Sequence, residues 1–442
     1  MMPTVTRSTS MARRVALSSL IGTTIEWYDY FIYGSAAVLV FGPQFFPGDD
    51  PTASTLAAFA TFAVGFLARP IGGIVMGHFG DRVGRKSMLI ISMLLMGGAT
   101  VAIGLLPNYA AIGIAAPILL VVLRLVQGFG VGGEWGGAVL MSVEHAPRGR
   151  RTFYGSFAQM GLPAGIIFAN LVFIVVVNVV SPEAFAAWGW RLPFLLSAAL
   201  IVFGFVLRFK ITESPTFTGV KDTGSVEKQP LVALVTRHFK PLALASAASI
   251  AAPALGYLIL VYMLSYGTAV LGLSKTTMLW LIIGGAAVWF IVIAVSAQVA
   301  DRVGRKKVFL AGALLVAIWA FPFFALVDTA SPALILLAFA VGTSAIAMMA
   351  GPQAALVAAL FPPAIRYSGA SVAYQIGSII GGAFAPMIAT ALYAATGTSV
   401  LIACYMGGLG LLSFVALLFL REEKDADNIP DVVAADAPNS IR

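Results

Sequence analysis

Runs of apolar residues, each about as long as a membrane-spanning helix, recur along this chain from one end to the other. A helix needs about 20 residues to cross the hydrocarbon core of a bilayer. Twelve runs approach or exceed that length, at about 17–41, 55–78, 87–106, 113–140, 155–180, 191–209, 241–271, 277–299, 307–327, 332–360, 368–395 and 399–420. Because backbone groups in lipid must pair within their own segment, each run is predicted to be a transmembrane helix.

The low content of charge points to the same solvent. Charged residues make up 10% of the 442 residues and hydrophobic residues 60%, whereas soluble domains contain about 25% charged residues. Lipid must therefore surround most of the folded chain, and little sequence is left for loops. This excludes a large soluble catalytic domain. Since the sequence contains no H-E-x-x-H, P-loop or G-x-S-x-G motif, we expect neither an enzyme nor an ATP-driven pump.

Basic residues occupy alternate connections between the runs. They cluster in 1–14, 82–86, 148–151, 208–240, 302–307 and 421–424, and the intervening connections hold almost none. Lys and Arg stay on the cytoplasmic side of a membrane, so both termini are predicted to be cytoplasmic. The same rule explains the net charge of +8 as a topology signal, and we expect no nucleic-acid partner.

A polar interval and an internal repeat divide the chain into two halves. The segment Asp81–Lys86 is repeated identically as Asp301–Lys306, at equivalent places in each half. Duplicated halves are typical of carriers that alternate access to a site near the membrane midplane. The predicted organisation is a cytoplasmic N-terminal segment, a six-helix bundle, a cytoplasmic linker, a second six-helix bundle and a disordered cytoplasmic tail, at 1–16, 17–210, 211–240, 241–420 and 421–442.

Several motifs resemble one family of carriers. Residues 77–86 resemble the signature loop between the second and third helices of the major facilitator superfamily, and Arg124 within 123–128 resembles its fourth-helix motif. Segments 26–34, 66–73 and 132–137 resemble the metabolite:proton symporter branch. The resemblance covers about 17–420.

This resemblance implies an all-α membrane protein of two six-helix bundles around a cavity. It also implies proton-driven uptake of an organic acid of the oxoglutarate, citrate or shikimate type, or of a zwitterion such as proline or betaine. The osmosensing betaine carriers of the branch have a long C-terminal coiled coil. The tail of this chain has no heptad pattern, which weighs against that role.

Five ionisable residues lie well inside predicted spans, and all five are in the N-terminal half: Glu26, Asp29, Arg69, Arg124 and Glu134. An ionised group at the centre of a transmembrane helix costs roughly 2.5–3.5 kcal/mol on insertion scales. These residues are therefore expected to face a cavity, to pair with each other or to be protonated.

Helical spacing groups these residues into two stripes. Glu26, Asp29, Tyr30 and Tyr33 share one face of the first helix, and Arg124, Gln127 and Glu134 share one face of the fourth. Our hypothesis is that both stripes face the central cavity. The proton would be carried by Glu134 or Asp29, with Glu26 as a third candidate.

Arg69 and Arg124 each offer a planar fork that suits a substrate carboxylate. The alternative is that the carboxylates and arginines form intramembrane salt bridges that only fix helix packing.

Other polar and aromatic residues leave two interpretations open. Gln159 and Gln375 occupy comparable places in the fifth and eleventh helices, where each could contact substrate or hydrogen-bond a neighbouring helix. Tyr257 and Trp289 could line the cavity, although interfacial belts are the commoner place for such rings.

Segment 128–133 formally matches G-x-G-x-x-G, but no strand precedes it. Its glycines are expected to let two helices approach closely.

The two signature loops predict a gate. Carboxylates there can latch the cytoplasmic ends of the two halves and can face the positive end of a neighbouring helix. The alternative is surface charge that merely sets topology. The predicted gate consists of Asp81, Arg82, Arg85, Glu144, Asp301, Arg302 and Arg305.

The sequence therefore predicts a secondary transporter of the bacterial inner membrane, a proton symporter of a small carboxylate. Its partners would be substrate, proton and lipid, and we expect a monomer. The three histidines lack metal spacing and there is a single cysteine, so we expect no metal and no cofactor, with the proton gradient as the driving force. The alternatives are a zwitterion carrier, an uncoupled facilitator and a transport-like receptor.

Overall fold

The computed structural model describes residues 4–48, 50–83, 85–132, 138–139, 142–143, 146–147, 149–209, 230–361 and 366–420. For 4–11, 38–39, 62, 77–83, 85–89, 207–209, 230–231, 233, 358 and 366–367 it describes the backbone alone. These described residues form helices and turns, without a strand. Residues 210–229 of the predicted linker and the tail 421–442 lie outside them.

The fold is all-helical, and each predicted apolar run falls on a long helix. In chain order these are α1 (Thr4–Ala36), α2 (Pro51–Val83), α3 (Arg85–Leu105), α4 (Ala115–Gly132), α5 (Arg151–Val179), α6 (Leu192–Phe209), α7 (Phe239–Val270), α8 (Lys275–Val303), α9 (Arg305–Val327), α10 (Pro332–Ala358), α11 (Arg366–Ser378, continued by Ala385–Thr396) and α12 (Val400–Phe419). Short helices cover Gly42–Phe45, Tyr109–Ile112, Pro182–Ala187 and Pro230–Arg237. The last of these is a helical part of the predicted linker.

Ten helices of the described residues are long and apolar enough to cross a membrane. The two long helices outside this set are α1 and α3. Charged residues lower the hydropathy of α1, which carries Arg13, Arg14, Glu26 and Asp29. The apolar part of α3 is the shorter stretch Ile90–Leu105.

Helix α7 is interrupted where the sequence predicted one continuous run. An α-helix over Phe239–Ala248 ends at Ser249, and the chain resumes as Ala251–Tyr257. The hydroxyl of Ser413 on α12 bridges the break, since it accepts from Ala251 N at 3.1 Å and donates to Ala247 O at 3.0 Å. A side chain inserted into the helical hydrogen-bond ladder is a known cause of a kink.

Beyond this break, π-helical turns widen α7 and α11. They cover Leu258–Tyr262 and Tyr266–Val270 in α7 and Ile379–Ala383 in α11. A third helix, α1, has a π-turn only after its end, at Ala37–Phe41. Single π-turns within α-helices are often found at functional sites.

Glycines bring α2 and α4 into backbone contact. A Cβ added to Gly128 would lie 1.8 Å from the carbonyl oxygen of Gly65, and one added to Gly132 would lie 1.9 Å from that of Arg69. No larger residue fits such a contact unless the helices separate. The expectation that the glycines of segment 128–133 serve helix packing is confirmed for these two positions.

The two halves meet along two seams. Helix α5 packs against α8 and α10, and α2 packs against α11. The repeated segments connect α2 to α3 and α8 to α9, and we call the end of the bundle that holds them the signature end. In the second copy the turn needs glycine because Gly304 has φ +105°.

Candidate transport site

A cavity lies between the two halves. It contains about 510 Å³ of empty space, a volume that includes the part open to its surroundings. Its lining comes from α1, α2 and α5 of the first half and from α7, α8, α10 and α11 of the second. The residues are Trp27, Phe31, Arg69, Gln159, Leu162, Ala252, Pro253, Gly256, Tyr257, Leu260, Trp289, Ile346, Ala350, Gln353, Tyr374 and Ser378.

Arg69 is the one charged residue among those lining residues. Its side chain is 1% exposed, and its guanidinium lies 4.2 Å from the ring centre of Phe66 and 4.5 Å from that of Tyr30. Neither Nε nor Nη2 has a hydrogen-bond partner in the described part of the chain. These two N–H groups form one edge of the planar guanidinium, and such an edge binds a carboxylate through two parallel hydrogen bonds. Arg69 therefore presents an edge of two hydrogen-bond donors, without partners among the described residues, at a cavity-lining position.

Arg124 has a different environment, because it is held inside the first half and does not line the cavity. Its Nη1 donates to Gln127 Oε1, and its guanidinium lies 3.8 Å from the ring centre of Tyr33. Gln127 donates in turn to Thr100 Oγ1 at 2.8 Å and to the carbonyl oxygen of Asp29 at 3.2 Å. This network joins α4 to α1 and α3. Among the described residues the interactions of Arg124 and Gln127 thus support packing rather than substrate contact.

Glu26 and Asp29 are both buried but do not line the cavity. The two carboxylates interact electrostatically with each other, and Glu26 also interacts with Arg69. Neither carboxylate oxygen of Asp29 has a hydrogen-bond partner among the described residues. The nearby hydroxyl of Ser197 on α6 lies outside hydrogen-bond geometry.

The predicted stripe on α1 is therefore turned away from the cavity, and this differs from our hypothesis. Trp27 and Phe31 face the cavity, whereas Asp29 faces Gly97 of α3. Successive helical residues are about 100° apart. The four predicted residues therefore share one face of α1, and Trp27 and Phe31 lie on a different face. That second face is the one that lines the cavity.

Tyr30 and Tyr33 link the buried charges. The guanidinium groups of Arg69 and Arg124 both lie over the ring of Tyr30, at 4.5 and 4.9 Å. The hydroxyl of Tyr33 forms a 2.5 Å hydrogen bond with that of Thr61 on α2. Cations over aromatic faces gain electrostatic stabilisation that grows when water is excluded.

Glutamines connect the halves across the cavity. Gln159 Nε2 on α5 lies 3.3 Å from Gln353 Oε1 on α10. Gln375 Nε2 on α11 donates to the carbonyl oxygen of Gly132 on α4 at 3.4 Å. Gln159 lines the cavity and Gln375 does not. Both residues therefore form contacts between the halves, and Gln159 is also placed to touch a substrate.

A second contact between the halves lies at the signature end. The carboxylate of Asp301 accepts from the backbone N–H groups of Thr152 and Phe153 at 3.1 and 3.0 Å. These groups belong to the first turn of α5, where unpaired N–H groups attract negative charge. Arg305 Nε donates to Thr152 Oγ1 at 3.1 Å. Arg302, in contrast, is exposed.

The remaining predicted site residues cannot be compared with the structure. Glu134 and Glu144 lie outside the described residues. The side chains of Asp81, Arg82 and Arg85 lie outside them as well.

Several residues of the second half line the cavity although they were not among the predicted site residues, and Tyr257 and Trp289, for which the sequence left a cavity position open, are two of them; Gln353 and Tyr374 are two others. Tyr257 and Trp289 are 4% exposed, so neither belongs to an interfacial belt. The cost of burying an ion in a membrane identifies only charged residues, and these side chains carry no charge. The signal that was present is a polar residue, Gln353, within an apolar run.

Comparison with known proteins shows the family of the chain. A sequence model of the Major Facilitator Superfamily matches residues 19–364 and 271–440. The inner membrane metabolite transport protein YhjE of Escherichia coli (strain K12) is 42% identical over 416 residues, which cover 93% of this chain and 94% of the relative. The shikimate transporter of the same organism is 40% identical over 430 residues, which cover 95% and 97%.

Two more distant similarities are to other carriers. The proline/betaine transporter of Escherichia coli (strain K12) is 32% identical over 419 residues, which cover 93% of this chain and 83% of the relative. The crystal structure of the D-xylose-proton symporter superposes with a TM-score of 0.74 at 20% identity, covering 93% of this chain and 98% of that one. This last similarity concerns the fold.

The chain belongs to the major facilitator superfamily. It is a multi-pass transporter of the inner membrane and not an enzyme, and it carries a small molecule.

Proposed function

We propose that this transporter is a proton symporter of a small organic acid, shikimate-like or oxoglutarate-like, that works by alternating access. In this proposal α1 and α3 also cross the membrane, which makes twelve spans in two six-helix bundles. The signature end and both termini are cytoplasmic. The carrier acts as a monomer and needs no cofactor, since the proton gradient drives it.

The observation that carries the proposal is the unpartnered pair of N–H groups on the Arg69 guanidinium. Arg69 is the one charged residue among the lining residues, and its Nε and Nη2 groups lack a partner among the described residues. A substrate carboxylate supplies the missing acceptors and neutralises the buried charge. A cavity of this kind favours an anion over a cation or a neutral sugar.

Proton coupling is assigned to Asp29. A buried charge without hydrogen-bond partners is costly, so the carboxyl of Asp29 is suited to hold a proton. Glu26 interacts with both Asp29 and Arg69 and so connects the proton to the anion site. Each proton taken up by this pair removes negative charge near Arg69 and strengthens anion binding. By linkage, anion binding then strengthens proton binding by the same factor.

Alternating access requires contacts that break at one end of the bundle. Asp301 and Arg305 bind the first turn of α5, and we propose that this contact is the cytoplasmic latch. Substrate and proton enter while the latch is closed, and it opens for release. Asp81, Arg82, Arg85, Glu144 and Arg302 remain predicted members of this gate.

The test is proton movement into proteoliposomes that contain the purified carrier and a pH-sensitive dye, without an imposed gradient. Shikimate, oxoglutarate, citrate and benzoate are added one at a time, followed by proline and betaine. Acidification of the lumen by an organic acid, absent in protein-free vesicles, is the expected result. Uptake of labelled acid without acidification would instead identify an uncoupled facilitator. Specific binding without uptake would identify a receptor.

A zwitterion carrier is the second candidate, and one observation favours it. Five aromatic side chains line the cavity, namely Trp27, Phe31, Tyr257, Trp289 and Tyr374. Aromatic faces bind quaternary ammonium groups, and Arg69 would bind the carboxylate of a betaine. Faster acidification by betaine or proline than by any organic acid would select this candidate.

A further inference from the structure

The wall of the cavity that the second half forms contains unpartnered hydrogen-bond donors. Trp289 on α8 is 4% exposed and Gln353 on α10 is 2% exposed. Trp289 Nε1 and Gln353 Nε2 have no partner in the described part of the chain, although both residues line the cavity. Such orphans are uncommon in native structures, where most buried polar groups are paired.

Local contacts hold both side chains in place. The amide oxygen of Gln353 accepts from Gln159 Nε2 at 3.3 Å, which leaves the Nε2 end free to donate. The six-membered ring of Trp289 packs on Gly256, where an added Cβ would lie 3.3 Å from Cη2. These contacts position the two donors at the cavity.

The chemistry of these two groups defines the ligand that they can bind. An indole N–H and the nitrogen of an amide donate hydrogen bonds and accept none. Ser378 adds a hydroxyl without a partner, which can donate or accept. No Asp or Glu is among the lining residues. The second half thus offers donors and no negative charge to the far end of a substrate that is anchored on Arg69.

We propose that Trp289 and Gln353 form a second recognition point, which binds an oxygen acceptor on the substrate at the end opposite its carboxylate. This inference rests on the proposed function and narrows it to hydroxylated or oxo carboxylates. A methylated ammonium group has no lone pair, so it leaves both donors unpaired. The aromatic rings of the cavity then hold the carbon skeleton rather than a cation.

The two recognition points lie on different halves of the protein. Arg69 belongs to α2, and Trp289 and Gln353 belong to α8 and α10. A substrate with oxygen at both ends bridges the halves, whereas a monofunctional acid binds one half alone. The substrate oxygen at the end opposite the carboxylate therefore determines both the affinity for the substrate and the closure of the two halves around it.

The test uses ligands that differ by one oxygen atom. The full-length protein in detergent is titrated calorimetrically with cyclohexanecarboxylate, 3-hydroxycyclohexanecarboxylate, 3-oxocyclohexanecarboxylate and glycine betaine. We expect one of the oxygenated acids to bind about tenfold more tightly than the parent acid, because a site built for a hydrogen bond loses about that factor without it. The Trp289→Phe and Gln353→Leu double variant should bind all three ring acids within about twofold of each other.

Matched controls separate recognition from folding. Trp319→Phe removes an indole whose Nε1 already donates to Ala338 O at 3.3 Å, and Gln298→Leu changes an exposed glutamine. Both should keep the preference for the oxygenated acid. The double variant should match the unaltered protein in its far-ultraviolet circular dichroism and its elution volume on gel filtration, which shows that it is folded.

Several results would overturn the inference. Equal affinity of the unaltered protein for all ring acids would do so, and so would tighter binding of glycine betaine or a preference that survives in the double variant. Those results leave carboxylate binding at Arg69 intact. Absence of proton movement together with an intact oxygen preference would contradict the coupling alone. If none of the four compounds binds, both proposals fail.

Discussion

The first helix of each half occupies an equivalent place in the fold, yet the two helices are built differently. Helix α1 is α-helical over 33 residues and carries Glu26 and Asp29 in its buried part. Helix α7 has no charged residue between positions 241 and 270. It is broken after Ser249 and contains two π-turns. The two duplicated halves therefore differ in the charge and the regularity of their first helices.

This difference has a physical basis. Buried charges are costly without partners, and in the first half Arg124 has them, since it donates to Gln127 and lies over the ring of Tyr33. A helix with irregular turns has weaker internal hydrogen bonding and can change shape more easily. We infer that the first half provides charge and a rigid frame, while the second half provides the bending that closes the cavity. Each of the following substitutions tests one side of this comparison.

The largest effect is expected at Asp29, which represents charge on α1. Asp29→Asn keeps the size of the side chain but removes the titrating group. Uphill accumulation of the organic acid driven by a pH gradient should be abolished, while exchange of labelled for unlabelled substrate continues. The measurement is labelled uptake in proteoliposomes with and without the gradient.

Glu183→Gln is the control for this substitution, because Glu183 is an exposed carboxylate in the short helix Pro182–Ala187. It should leave accumulation unchanged. If Asp29→Asn still accumulates substrate against its gradient, the proton is carried elsewhere, and Glu26→Gln and Glu134→Gln become the next variants to measure.

A slightly smaller effect is expected at Arg69, the charge that faces the cavity. Arg69→Lys keeps the positive charge but loses the two parallel N–H donors of the guanidinium. Transport of the acid should therefore fall about 100-fold, equivalent to about 3 kcal/mol. The measurement is the initial rate of uptake at subsaturating substrate. Arg237→Lys, at an exposed position of a short helix, should behave like the unaltered protein. Full activity of Arg69→Lys would show that charge alone suffices and would remove the argument for a carboxylate.

Sequence reasoning predicted the all-helical fold of the superfamily, the repeat and the burial of four charged residues, because each depends on residue type and spacing; the four are Glu26, Asp29, Arg69 and Arg124. It did not find that Asp29 lies next to Gly97 of α3, because the width of a helical stripe does not fix which part of it faces the cavity. It also missed the break in α7. That break depends on Ser413, which is 162 residues away from Ala251 in the chain, and no local pattern records this contact.

Glycine packing provides the rigidity of the first half, and Gly128→Ala tests it. The added Cβ would meet the carbonyl oxygen of Gly65 at 1.8 Å, and backbone atoms cannot rotate away. Overpacking of this kind destabilises by about 1–3 kcal/mol, and occasionally more, and we expect the upper end of that range. Gly98→Ala is the matched control on α3, since nothing lies within 4 Å of its added Cβ. The thermal unfolding of the two variants is compared by tryptophan fluorescence. Equal unfolding midpoints would contradict the inference that the close contact between α2 and α4 makes the first half rigid.

The smallest effect is expected at the break in α7, which represents the flexible half. Ser413→Ala removes the hydroxyl that pairs with both Ala251 N and Ala247 O. Two outcomes follow from an unpaired backbone: a loss of stability of about 1–2 kcal/mol, or a straighter α7 that restores the helical bond. In both cases the rate of transport should fall while equilibrium binding of the acid changes little, because Ser413 does not line the cavity. Ser344→Ala, which removes a hydroxyl bonded within its own helix to Ala340 O, is the control. A Ser413→Ala variant with unaltered stability and turnover would show that the break in α7 has no role in transport. That result would contradict the inference that bending of the second half closes the cavity.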